Sequence, residues 1–143
     1  MMMLMIVKIN VLFDKWKSFL NAGDLSGHKM WTNYSGPERV LDNIASVSGK
    51  IHSMFPNIPI FPLIGNNDLP GHYILPNSSD DWYQRLLAYW EPLILCSGCP
   101  GYAKNLNLQK SFLEGGYYNA SIAGNLTIVS INFRNSSSQS KLL

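Results

Sequence analysis

Apolar residues recur every three or four positions between residues 37 and 55, which is the spacing of one face of an α-helix. Short apolar runs at residues 19–22 and 58–64 flank this segment and predict two buried strands. A right-handed crossover through one helix makes such strands parallel and places their carboxyl ends at the same edge of a sheet. The pattern therefore predicts a βαβ unit.

Polar residues follow both predicted strands directly. Gly23-Asp24 comes after the first strand and Gly65-Asn66-Asn67-Asp68 after the second. Neighbouring strands lie about 4.8 Å apart, and ligands of open α/β sheets bind at the carboxyl ends of the strands. Asp24 and Asn66 are therefore predicted to converge on one ion or ion pair.

The second half of the chain shows a helical pattern and then a strand pattern. Residues 80–95 predict a helix capped by Ser79, with a stripe that we assign to the core and that contains Trp82, Leu86, Tyr89, Trp90 and Leu93. Residues 96–109 predict a loop. Residues 116–122 and 126–133 predict a β-hairpin. The expected fold class is α/β, with a βαβ unit and a C-terminal β-hairpin.

Four blocks of residues stand in an order that is found in one enzyme family. Gly23-Asp24, with His28 four residues after the aspartate, is followed by Gly65-Asn66-Asn67-Asp68, by residues 90–93 and by residues 115–132. This set resembles the calcineurin-like metallophosphoesterases, and within them the acid sphingomyelinase-like and endopolyphosphatase-like branch. The resemblance implies a partial metallophosphoesterase β-sandwich core, two divalent ions (Zn or Mn), and a phosphodiester or polyphosphate substrate.

The same resemblance implies a role for each polar residue. Asp24 and Asn66 are metal ligands, His28 and Asn67 address the substrate phosphate, and Asp68 orients a neighbour. Two ions about 3.5–4 Å apart clamp a phosphoryl group and activate a water. Asn67 stands where the family usually has His, and an amide cannot protonate a leaving group. The sequence GNND nevertheless occurs in endopolyphosphatase-like relatives.

Two further blocks of the family, Asp-x-His and Gly-His-x-His, are not found in the 143 residues, whose histidines are His28, His52 and His72. We therefore expect the chain to be a fragment of a longer hydrolase. Two alternatives stay open. One is a non-catalytic remnant or binding module that keeps the core without a dinuclear metal site, and the other is a single-metal site that a partner chain completes. The oligomeric state is unknown from the sequence.

Composition narrows the class of protein and of partner. A hydrophobic content of 46% predicts a folded domain. A net charge of +2 with 14% charged residues gives no basic stripe, so no nucleic-acid partner is expected. No apolar run reaches the length of a membrane span.

We assign the partial domain to residues 18–134, a non-native-looking N-terminal segment to residues 1–17, and a disordered Ser-rich tail to residues 135–143.

The glycosylation sequons and the two cysteines bear on the cellular compartment of the protein. Asn-x-Ser/Thr sequons begin at Asn33, Asn77, Asn119, Asn125 and Asn135. They predict a secreted protein or one of the lysosomal or vacuolar lumen, although the N-terminus shows no signal-peptide cleavage pattern. Cys96 and Cys99 form a C-x-x-C without a second pair, which excludes a four-cysteine zinc site within the chain. They are disulfide candidates, with each other or with cysteines elsewhere.

Overall fold

The chain folds into a mixed α/β arrangement, seen in a computed structural model that describes residues 4–7, 18–21, 23–27, 30, 36–71, 73–77, 79–99, 107–122 and 126–132. The elements in these ranges are β1 (Leu4–Val7), β2 (Ser18–Asn21), α1 (Gly36–Met54), β3 (Ile60–Pro62), α2 (Trp82–Leu95), α3 (Leu108–Gly115), β4 (Tyr118–Ile122) and β5 (Leu126–Ser130). Among the helices so described, none combines the length and apolar character that crossing a bilayer requires.

The first three strands form one sheet in the order β1-β2-β3. Strands β2 and β3 are parallel, with Phe19 opposite Ile60 and Asn21 opposite Pro62. Because α1 connects them, the predicted βαβ unit is confirmed. Strand β1 pairs with β2 in the antiparallel sense, and it lies within residues 1–17, where the sequence predicted no strand. The division of the chain into three segments stays a prediction, and residues 135–143 lie outside the described part.

Helix α1 follows from its apolar stripe. Pro37 suits the first turn of a helix, and Glu38 complements the positive end of the helix dipole there. The side chains that α1 buries lie at three- and four-residue spacing, and they are Val40, Leu41, Ile44 and Ser48. This face packs against α2, so the predicted helix over residues 37–55 is confirmed.

Helix α2 begins two residues later than predicted, and the prediction that Ser79 caps it was wrong. The N-cap position belongs to Asp81, whose side chain makes no capping hydrogen bond. Asn77 and Asp80 instead close a turn, in which Asp80 N donates to Asn77 O (2.9 Å) and Asn77 N donates to Asp80 Oδ2 (2.8 Å). Ser79 belongs to this turn and is therefore separated from the helix.

Helix α3 was not predicted, and the predicted loop over residues 96–109 overlaps its start. The helix is short, and its buried residues Leu108, Phe112 and Gly115 fall at three- and four-residue spacing. Gly116 ends it with φ +70°, a left-handed conformation that glycine adopts at low cost. Asn132 Nδ2 donates to Gly115 O at 3.0 Å and so satisfies a carbonyl at this end of the helix.

The core is centred on Phe112, which contacts aromatic rings of two other elements. Its ring centroid lies 5.9 Å from Trp90, 6.3 Å from Tyr83 and 6.1 Å from Tyr118. The stripe that the sequence assigned to the core is confirmed, since Trp82, Leu86, Trp90 and Leu93 are buried and Tyr89 is partly buried against them.

The predicted C-terminal hairpin is also confirmed. Strands β4 and β5 are antiparallel, with Tyr118 opposite Ser130 and Ile122 opposite Leu126. Tyr118 also donates its hydroxyl to Pro62 O at 2.8 Å, so the hairpin is attached to the end of β3, from which the second polar run starts.

Candidate functional site

The two polar runs meet where β2 and β3 end, and we call residues 23–27 and 65–70 together the loop crossing. Asn67 N donates to Asp24 Oδ1 at 3.0 Å. Gly65 N and Asp24 N both donate to the carboxylate of Asp68. The parallel pairing of β2 and β3 places both loops at one edge of the sheet, which brings together residues that lie more than forty positions apart in the sequence.

Two glycines allow the backbones of the loops to touch. A Cβ atom on Gly23 would lie 2.6 Å from Gly65 N, and Gly23 also has φ +88°. A Cβ atom on Gly65 would overlap the backbone nitrogen and the carboxylate of Asp24. Side chains at either position would separate the loops, which explains why both runs begin with glycine.

Asp68 is the most deeply buried carboxylate of the loop crossing, with an exposed fraction of 0%. Its Oδ2 accepts hydrogen bonds from Asp24 N (2.7 Å) and Gly65 N (2.9 Å), and its Oδ1 accepts one from Ser26 N (2.9 Å). Burial raises the pKa of Asp68 to about 6, and the nearby Asp24 carboxylate adds to this effect. The three N–H donors oppose the rise because they favour the charged form.

Asp24 is half-buried and has φ +57°, a backbone conformation that Asp tolerates better than most residues. One carboxylate oxygen, Oδ1, is used by Asn67 N. The other, Oδ2, accepts no hydrogen bond from the described residues. The strained backbone therefore holds a carboxylate whose second oxygen can serve a ligand.

Asn66 and Asn67 differ in exposure. Asn66 is half-buried and donates from Nδ2 to Asn67 Oδ1 at 3.2 Å. Asn67 is only 1% exposed. Its side chain therefore packs inside the loop crossing, and its backbone N–H orients Asp24.

Several predicted site residues lie outside the described residues or away from the loop crossing. His28, Asn33, Asn125 and Asn135 fall outside the described part of the chain. Asn77 and Asn119 are exposed, the first in the turn before α2 and the second in β4. Cys96 and Cys99 are disulfide-bonded to each other, with Cα atoms 5.4 Å apart, at the end of α2.

One residue of the site was recognised only as a core residue. Trp82 Nε1 donates to Asp68 O at 3.1 Å, so the first residue of α2 is attached to the loop crossing. The helical spacing of Trp82 predicts that its ring is buried, but it carries no information about the partner of the indole N–H. No pattern in the sequence could have indicated this bond.

Asp24 and Asn66 offer the kind of donors that a divalent cation takes. Carboxylate and amide oxygens bind Mn²⁺ and Mg²⁺ readily, and carboxylates also bind Zn²⁺. Within the described ranges, however, no three or more His, Cys, Asp or Glu side chains form a group that could hold an ion. The described residues therefore fit one part of a metal-binding donor set.

No family model matches this chain. The chain is similar to the cyclic GMP-AMP phosphodiesterase SMPDL3A of Homo sapiens, 25% identical over 123 residues that cover 78% of this chain and 25% of that protein. Sphingomyelin phosphodiesterase A of Dictyostelium discoideum is 29% identical over 124 residues, covering 85% of this chain and 19% of its own length. Sphingomyelinase phosphodiesterase C of the same organism is 32% identical over 95 residues, or 65% of this chain and 19% of that protein.

These relatives are phosphodiesterases by name, and they are distant ones. The chain spans about a quarter of the length of the cyclic GMP-AMP phosphodiesterases and about a fifth of the sphingomyelin phosphodiesterase relatives.

Proposed function

We propose that this chain carries part of the metal- and phosphate-binding edge of a calcineurin-like metallophosphoesterase. The observation that carries the proposal is the meeting of Asp24 with the Gly65–Asn67 run at the ends of two parallel strands. Such an edge is where ligands of open α/β sheets bind. The phosphodiesterase relatives support the same assignment.

Asp24 and Asn66 are the residues that would hold a divalent ion, through Asp24 Oδ2 and the Asn66 carbonyl oxygen. A bound ion supplies a water of lowered pKa and polarises a phosphoryl oxygen. The N–H of Asn67 holds Asp24 Oδ1 and so restrains the carboxylate. Asn67 has no proton to give a leaving group, which costs about 10²–10⁴-fold where a general acid is needed. His28 remains the candidate for a contact with a phosphate oxygen.

The substrate class that we propose is a phosphodiester. The names of the relatives agree on this bond and differ in the rest of the substrate. The substrate of an endopolyphosphatase, a phosphoanhydride, is supported only by the GNND sequence at residues 65–68.

We further propose a secreted, lysosomal or vacuolar location. The Cys96–Cys99 disulfide suits an oxidising compartment, and the sequon residues Asn77 and Asn119 are exposed. Enzymatic removal of N-linked glycans from the protein isolated from its source should increase its gel mobility. An unchanged mobility would contradict this location.

A second function is favoured by one observation. Because no group of three or more potential ligands occurs among the described residues, a non-catalytic module that keeps the fold without a dinuclear site is the competing proposal. It predicts a chain that folds normally and retains no divalent ion.

The two proposals are separated by metal content and activity of the 143-residue chain, measured after exposure to Zn²⁺ or Mn²⁺ and dialysis. Asp24→Asn removes a negative ligand and should lower the bound metal at least tenfold, together with any hydrolysis of bis(p-nitrophenyl) phosphate. Asp42→Asn, on the exposed side of α1, is the matched control and should change neither. Equal metal content in the wild-type and Asp24→Asn proteins would refute the assignment, and an absence of metal from both would favour the non-catalytic module.

A further inference from the structure

The Asp68 carboxylate accepts hydrogen bonds from backbone N–H groups of both loops. Two of its three N–H donors, Asp24 N and Ser26 N, lie 44 and 42 residues away in the sequence. The third, Gly65 N, belongs to its own turn. The side chain is buried, so water competes weakly for these bonds, and bonds to a charged acceptor are stronger than those between neutral groups.

A second aspartate shows what a turn alone requires. Asp80 Oδ2 accepts a hydrogen bond at 2.8 Å from the backbone nitrogen of Asn77, which lies three residues earlier. This bond is exposed to solvent. Asp68 makes the same local bond to Gly65 N, also three residues earlier. The bonds to Asp24 N and Ser26 N are additional, and a turn-closing role does not account for them.

Asp68 is itself held from the helical side. Trp82 Nε1 donates to its carbonyl oxygen at 3.1 Å, and Trp82 is buried at the start of α2. The backbone of Asp68 is therefore restrained by α2, and its side chain is restrained by the loops. A carboxylate held in this way can determine the position of flexible backbone around it.

The carboxylates of Asp24 and Asp68 would repel one another across the loop crossing in the absence of compensating groups. Backbone N–H groups offset part of this repulsion, since Asp24 Oδ1 accepts from Asn67 N and Asp68 accepts from three donors. These bonds connect the two loops through protein groups alone.

We propose that Asp68 is a positioning residue that holds the Asp24 loop against the Gly65–Asn67 run in the metal-free chain, so that the donors of the proposed site are in place before an ion or a substrate binds. The benefit for metal binding rests on the proposed function. The joining of the loops rests on the hydrogen bonds alone. A preorganised site binds more tightly because less order is lost on binding.

The test is amide hydrogen exchange by NMR on the full 143-residue chain in the presence of a chelator. In the wild type, the amides of Asp24, Ser26 and Gly65 should exchange slowly without metal. Asp68→Asn keeps the shape but replaces one acceptor oxygen by an NH₂ group, and exchange at these amides should become roughly tenfold or more faster. Amides in the middle of α1 should be unaffected. Asp80→Asn is the matched control and should affect the turn at Asn77 only.

Three results would overturn the proposal. The first is fast exchange of Asp24 and Ser26 amides in the metal-free wild type, a measurement that stands even if Asp68→Asn fails to fold. The second is unchanged protection of both amides in a folded Asp68→Asn protein. The third is an equal acceleration of exchange throughout α1 and α3, which would indicate a general loss of stability.

Calorimetric titration with Zn²⁺ separates the two parts of the proposal, which are that Asp68 joins the loops and that this joining prepares the metal site. The Asp68→Asn protein should bind Zn²⁺ roughly tenfold or more weakly than the wild type, and the Asp80→Asn protein equally well. A wild-type chain that shows the three protected amides but binds no Zn²⁺ would support the positioning role of Asp68 and overturn the proposed function. Equal Zn²⁺ affinity in wild type and Asp68→Asn would overturn the role of Asp68 in preparing the site.

Discussion

The helical layer, made of α1, α2 and α3, and the loop crossing are stabilised by different means. The helices bury aliphatic and aromatic side chains against one another, and Phe112 of α3 contacts Trp90 and Tyr83 of α2 as well as Tyr118 of β4. The loop crossing depends on hydrogen bonds to the carboxylates of Asp24 and Asp68 and on the contact of two glycines. Apolar packing depends on the volume of the buried side chains, whereas the loop crossing depends on the exact placement of individual donor and acceptor atoms.

The free-energy contributions of apolar burial and of hydrogen bonds show why the two regions respond differently to mutation. Burial of one large apolar side chain contributes about 1.5–3 kcal/mol, and a hydrogen bond to a charged group contributes about the same. The helical layer sums over many such residues, and a smaller side chain removes part of one contribution. The loop crossing has few bonds, each with one partner, so a single atom in the wrong place can disrupt it.

The largest contrast between the two regions is expected from adding one methyl group. Gly65→Ala places a Cβ against the backbone of Asp24, which cannot move without breaking the loop crossing, and should destabilise the protein by about 3 kcal/mol or more. Gly49→Ala, in α1 with no neighbouring atom within 4 Å, should stabilise it by about 0.5–1 kcal/mol. Chemical denaturation of both variants measures the difference, and a Gly65→Ala protein as stable as wild type would show that the loops do not touch.

The next contrast uses two buried tryptophans. Trp82→Phe removes the donor to Asp68 O, whereas Trp90 Nε1 has no hydrogen-bond partner among the described residues. Both changes reduce volume, but only the first leaves a carbonyl of the loop crossing without its donor. Trp82→Phe should therefore be more destabilising than Trp90→Phe by about 1–2 kcal/mol. Similar unfolding free energies for the two variants would indicate that α2 and the loop crossing are not coupled through this bond.

The smallest effect is expected on the surface of the helical layer. Arg85 donates from both terminal nitrogens to Glu38, at 2.7 and 2.8 Å, and these hydrogen bonds lower the pKa of Glu38 from its ordinary value of 4.5. A lowered folded-state pKa means that the pair stabilises the protein above the unfolded pKa, and that this contribution is lost as the pH falls through the folded value.

Glu38→Gln should accordingly lower the thermal midpoint slightly at neutral pH, and this difference should disappear as the pH falls through the lowered folded-state pKa of Glu38. High salt should reduce the difference as well, because the pair is exposed. A difference that persists unchanged at acid pH would exclude the ion pair as its cause.

Much of the helical layer and of the parallel pair could be predicted from the sequence. The three- and four-residue spacing of Val40, Leu41 and Ile44 requires only that a helix face be buried. The apolar runs before Gly23 and Gly65 similarly predict strands that end at one edge. Helix α3 was missed because it is eight residues long and follows a Gly- and Asn-containing segment, which predicts a loop.

Periodicity and chain connectivity, which are local properties, were enough to predict α1, α2, the two parallel strands and the approach of Asp24 to the Gly65–Asp68 run. The resemblance implied only that Asp68 orients a neighbour, and the folded loops show that it accepts hydrogen bonds from backbone groups 42 and 44 residues away. The fold also buries Asn67 and brings Trp82 to the loop crossing as a donor. Backbone N–H groups are the same at every position of a sequence, so their partners are determined only when the loops are folded together.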